Sequence, residues 1–136
     1  MKTHIPSPKK YPLSYICVFI IILLSVLPFE ERPELGDIPL LDKWTHMVMY
    51  GGLSLVAWSE HMWHHHQPYP RRAVLFGYVC PVLLGVVMEL VQWPLAYRSC
   101  EFMDMIANTT GATITSLIGL IIAMRLIGKA LRKQRS

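Results

Sequence analysis

Long apolar runs separated by short polar intervals dominate this chain. Residues 13–29 carry no charge, and Ser14 and Ser25 are their only clearly polar members. Similar stretches follow at 43–60, 72–93 and 102–124, and each length suits a helix that crosses a bilayer. The second is the most polar, with His46, Tyr50, Gly51, Gly52 and Ser54. It suits lipid only if that side faces other helices. Polar positions in the later runs recur at helical spacing. Lys43, His46 and Tyr50 share one helix side, Glu89 and Gln92 another, and Asp104, Asn108, Gly111 and Thr115 a third. Gly51, Gly52, Gly85 and Gly111 allow close helix contact at these seams.

The predicted fold class is an all-α integral membrane protein, a bundle of four transmembrane helices in one domain, 1–136. Composition agrees: 53% of residues are hydrophobic and 16% charged. A soluble bundle would have to hide 13–29 and 73–93 in a very small core. Lys9 and Lys10 precede the first run as in a signal peptide, but Ser25-Val26-Leu27 makes a poor cleavage site, so a retained anchor is expected. Three cysteines do not make a disulfide framework; Cys17 and Cys80 read as packing residues and Cys100 as a loop thiol.

Basic residues cluster at the ends of the apolar runs. The amino-terminal tail, Arg71 with Arg72, and the carboxy-terminal tail hold ten, against Arg32, Lys43 and Arg98 on the other side. This is a topology signal rather than a nucleic-acid patch, and it places both termini in the cytoplasm. Asp42, Lys43, His46, Glu89, Gln92, Arg98 and Asp104 then meet at the outer leaflet. Trp44, Trp93 and Tyr97 at that level, and Trp58, Trp63 and Tyr15 at the other, read as interfacial belts.

Carboxylates, cations and amides are costly in hydrocarbon and mark candidate functional positions. One reading is a hydrogen-bonded polar core in which Arg98 or Lys43 neutralises Asp104 or Glu89. Three chemistries also fit. Lys43, Arg98 and the starts of the second and fourth helices can hold a phosphate or carboxylate headgroup. Glu89 and Asp104 can act as general base and acid, with His46 carrying the proton. Glu89, Asp104 and His46 can ligate a divalent ion, although no metal motif supports this and no metal or other cofactor is expected. His64-His65-His66 reads as a solvated loop. A G-x-S-x-G elbow and a P-loop are absent, and no clear nucleophile accompanies the carboxylates.

Asp42-Lys43-x2-His46-x3-Tyr50, followed by Glu89-x2-Gln92-x5-Arg98-x5-Asp104-x3-Asn108-x2-Gly111, resembles the VanZ-like family. These are small bacterial membrane proteins named for a teicoplanin-resistance accessory protein. The likeness covers about 38–120. It implies a site built from Asp42, Lys43, His46, Tyr50, Glu89, Gln92, Arg98, Asp104 and Asn108, and a link to glycopeptide resistance or envelope homeostasis. Thr115 stands where the family pattern suggests a second glycine after Asn-x-x-Gly. The expected protein lies in the bacterial inner membrane, in contact with the bilayer, and binds an anionic lipid-linked envelope precursor. A membrane enzyme acting on such a lipid, and an assembly partner without a ligand, are the alternatives.

Overall fold

A computed structural model describes residues 7–27, 41–64, 70–95 and 102–135, and these are helical almost throughout. Helix α1 spans Pro12–Val26, α2 Leu41–His64, α3 Pro70–Val74, α4 Cys80–Gln92 and α5 Phe102–Arg135. A π turn, Leu75–Val79, joins α3 to α4, so 70–92 form one continuous rod. Among the described residues, four helical rods stand where four helices were predicted. The fourth runs further than 102–124, because nothing between Arg125 and Arg135 stops a helix; Lys, Arg, Leu and Ala there favour it. The rods of 70–92 and α5 are long and apolar enough to cross a membrane; α1, with 15 residues, is a shorter apolar helix.

The packing is inverted relative to a water-soluble bundle. Phe19, Val48, Leu83 and Leu117 point outward, while His46, Ser54, Glu60, His61, Glu89, Gln92, Asp104 and Asn108 are buried. The interior is narrow because glycines line it. Gly111 of α5 lies against the Met47 carbonyl of α2, where a Cβ would clash outright. Thr115 does not prevent this approach; its hydroxyl would sit 3.3 Å from a Cβ at Gly51.

The π turn has a chemical cause. Pro81 has no N–H, so the Gly77 carbonyl four residues earlier loses its helical donor. The hydroxyls of Ser54 on α2 and Ser116 on α5 donate to that carbonyl instead, the latter at 3.1 Å. Side-chain hydroxyls commonly resatisfy a backbone group freed by proline inside an apolar bundle. Trp58 Nε1 donates to Ser116 Oγ at 3.1 Å, and its ring fills the space beside Gly77 and Gly119. Trp58 is therefore buried at 1% exposure and does not belong to an interfacial belt. Trp44, Trp63 and Trp93 do face outward.

Helix α1 is held at both ends. Glu60 of α2 accepts from the backbone N–H groups of Leu13 and Ser14 at 2.7 and 3.0 Å and from the Ser14 hydroxyl at 2.6 Å. These N–H groups have no partner within α1, so a carboxylate from another helix caps it. At the opposite end Gln92 Nε2 donates to the Ser25 carbonyl at 3.0 Å.

Candidate functional site

The polar stripes meet where α2 and α5 begin and α4 ends. Lys43 Nζ of α2 lies 2.5 Å from Asp104 Oδ1 of α5 and 3.9 Å from Asp42 Oδ2. The Asp104 side chain is only 5% exposed and that of Lys43 19%. One turn further along α2, His46 sets Nε2 3.9 Å from Asp104 Oδ2 and Nδ1 3.0 Å from Asn108 Oδ1. With Oδ1 as acceptor, the imidazole carries a proton on Nδ1 and turns Nε2 to the carboxylate. Helical spacing makes this possible: Lys43 and His46 meet the stripe of Asp104 and Asn108 across a single α2–α5 seam.

Helix α4 closes the cluster from the other side. Gly85 leaves room for Asn108 and Tyr50; a Cβ there would lie 3.2 Å from Asn108 Nδ2 and 3.4 Å from Tyr50 Cε1. Glu89 and Gln92 are buried on the same face of α4. Asn108 Nδ2 is buried without a hydrogen-bond acceptor among the described residues. A buried amide nitrogen in that position is an unused donor inside the cluster.

Eight of the nine residues singled out from the sequence, Asp42, Lys43, His46, Tyr50, Glu89, Gln92, Asp104 and Asn108, fall at this end of the bundle. Arg98 lies outside the described residues, as do Tyr97, Cys100, His65, His66 and the 30–40 interval. Asp104 finds its cation in Lys43. Asp42, His46 and Asp104 offer three potential metal-ligand atoms within 4.8 Å of one another. This trio contains Asp42 where the sequence suggested Glu89, and the Lys43 ammonium already lies among its carboxylates.

A second buried polar group, at the far end, was not singled out in the sequence. Tyr11 donates its hydroxyl to, or accepts from, His61 Nδ1 at 2.8 Å, beside the Glu60 cap. Burial raises the Tyr11 hydroxyl above its ordinary value, the Glu60 charge raises it further, and Arg72 acts in the opposite sense. The usable signal was Glu60 itself, an acidic residue at the end of the second run where the basic residues cluster.

The chain is 29% identical over 120 residues to a protein of Schizosaccharomyces pombe described as uncharacterized; the match covers 88% of this chain and 70% of that protein. No solved structure matches it. The model of the VanZ/LLP1 family matches residues 6–124, a range that contains both halves of the polar cluster, and the chain belongs to that family.

Proposed function

We propose that this is a multi-pass membrane protein with both termini in the cytoplasm, whose polar cluster binds the anionic headgroup of a lipid-linked envelope component at the outer leaflet. The inverted packing supports the membrane part: apolar side chains line the outside and ionisable groups the seams. The ten-to-three distribution of basic residues supports the orientation. The observation that carries the binding site is the Lys43 ammonium, held on Asp104 where two helices start. Both helix dipoles present their positive ends there.

Asp42 and Asp104 limit which anion fits. Contact with the ligand falls to Lys43, to Arg98 six residues before Asp104, and to the unused Asn108 Nδ2 donor. A lipid-borne phosphate or pyrophosphate would suit that set of donors. VanZ-like membership links the reading to glycopeptide resistance or envelope homeostasis in the bacterial inner membrane. The test is mass spectrometry of lipids that co-purify with wild type and with Lys43→Gln at matched abundance. One anionic lipid class enriched on wild type and lost from the variant is the expected result. Identical lipid profiles would overturn the reading.

The carboxylate–imidazole–amide line of Asp104, His46 and Asn108 favours a second reading, hydrolysis or transfer of a group on that lipid. Asp104 and Glu89 would then be the acid/base pair, with His46 as proton carrier. Loss of all function in His46→Gln, with Lys43→Gln near normal, would decide for catalysis.

A further inference from the structure

The strongest remaining feature is an apolar cleft at the other end of the bundle. It has a volume of about 240 Å³ and opens among α1, α2 and the start of α4. Tyr11, Val18, Leu53, Phe76, Cys80 and Leu84 form most of its wall. Tyr11 is fixed at its end by the His61 bond and by ring contact with Phe76, centroids 5.6 Å apart. Cys80 is exposed, so one wall of the cleft is open from the side.

Charge at this end is positive. Lys9 and Lys10 are exposed just before Tyr11, and Arg71 and Arg72 are exposed at the start of the α3 rod. Arg72 is close enough for its charge to act on the Tyr11 hydroxyl. The nearby carboxylate, Glu60, is turned inward and spent on the first N–H groups of α1. Positive charge therefore lies near the Tyr11 end of the apolar slot.

We propose that this cleft is a binding site for an anionic phospholipid of the cytoplasmic leaflet. One acyl chain would lie along the Leu53–Phe76–Leu84 wall, with the headgroup phosphate between Lys10 and Arg72. The proposal rests on the membrane reading above but not on ligand binding at the polar cluster; the cleft runs from Tyr11 to Leu53 and Leu84, which pack with Tyr50. Basic side chains near an anionic headgroup each favour it, and two of them give a preference of at least tenfold.

The experiment is native mass spectrometry of the full chain in detergent with equimolar dioleoyl-phosphatidylglycerol and dioleoyl-phosphatidylcholine. Wild type should retain the phosphatidylglycerol adduct with at least tenfold preference. Lys10→Gln with Arg72→Gln should abolish the preference while leaving phosphatidylcholine adducts unchanged. Cys80→Phe, which fills the cleft from its exposed wall, should reduce both adducts. Equal retention of the two lipids by wild type, or a preference that survives the double substitution, overturns the proposal. So do adducts undiminished in Cys80→Phe. Alkaline carbonate extraction separates the two levels: release of the chain from membranes removes the membrane reading and the cleft with it. A chain that stays in the bilayer but shows no lipid preference removes only the cleft.

Discussion

Lys43 and Asp104 begin different helices, 61 positions apart in the chain, and their charged atoms lie 2.5 Å from each other. The contact joins the two halves of the family pattern into one polar cluster. It also makes Lys43 more than a surface cation, because its partner carboxylate is buried.

Removing Lys43 should therefore cost stability as well as binding. Lys43→Met leaves Asp104 buried without its cation, a change worth about 3–5 kcal/mol when the charge is fully desolvated. Partial exposure of Lys43 places the result toward the lower end. Asp104→Asn keeps the shape and removes the charge that needs compensation, so Lys43→Met combined with Asp104→Asn should recover much of the loss. Thermal unfolding in detergent of the two single variants and the double variant checks this. Additive losses would show that the two side chains are not coupled.

His46 should be more tolerant than Lys43. Gln at position 46 can keep a hydrogen bond to Asn108 but cannot replace an ammonium. We expect His46→Gln to keep partial function and Lys43→Gln to lose more, in an envelope-stress or resistance assay at matched membrane abundance.

The polar cluster was legible in the sequence because helical period places i, i+3 and i+7 on one side, and ionisable residues stand out in apolar runs. Lys43, His46, Asp104 and Asn108 are of this kind. The centre of the bundle was less legible. Ser116 is small and inconspicuous in an apolar stretch, Ser54 stood out only as one polar member of the second run, and Trp58 resembles any interfacial tryptophan. What gives them a role is Pro81, four residues after Gly77, which frees a carbonyl that only a tertiary contact can satisfy. The spacing was visible in the sequence, but the identity of the donors depends on which helices touch. The Glu60 cap was hidden for the same reason: it joins residues 46 and 47 positions apart.

That central arrangement makes a prediction with a built-in rescue. Ser54→Ala with Ser116→Ala leaves the Gly77 carbonyl buried without a donor, which should cost about 1–3 kcal/mol. Pro81→Ala in the same background restores an N–H four residues from Gly77 and should return part of that stability. Thermal unfolding of the double and triple variants gives the comparison. A triple variant no more stable than the double would show that the proline is not what frees the carbonyl.

Gly111 should accept no side chain. A Cβ there would meet the Met47 carbonyl, which is backbone and cannot turn away. Gly111→Ala should separate α2 from α5 and cost about 1–3 kcal/mol or more, and it should weaken the Lys43–Asp104 contact on the same seam. Gly52→Ala, where nothing lies within 4 Å of the added atom, is the matched control and should be nearly neutral. Equal effects at the two positions would remove the close-packed seam from the account.

The docking of α1 should depend on pH through Tyr11. Its hydroxyl titrates above the ordinary 10.0 in the folded chain, chiefly because it is buried and secondarily because Glu60 is near. The folded state then holds this proton more tightly than the unfolded state does. By linkage, the contribution is constant below pH 10, where both states are protonated, and declines as pH rises above the unfolded value. Tyr11→Phe removes the titration along with the bond to His61. It should lower stability at neutral pH by about 0.5–1.5 kcal/mol and flatten the decline above pH 10. Glu60→Gln should cost more at neutral pH, because it weakens the cap on Leu13 and Ser14, and should also shift the Tyr11 titration downward. The measurement is unfolding of wild type and both variants from pH 7 to 11; a Tyr11→Phe profile parallel to wild type would show that this hydroxyl does not carry the alkaline loss.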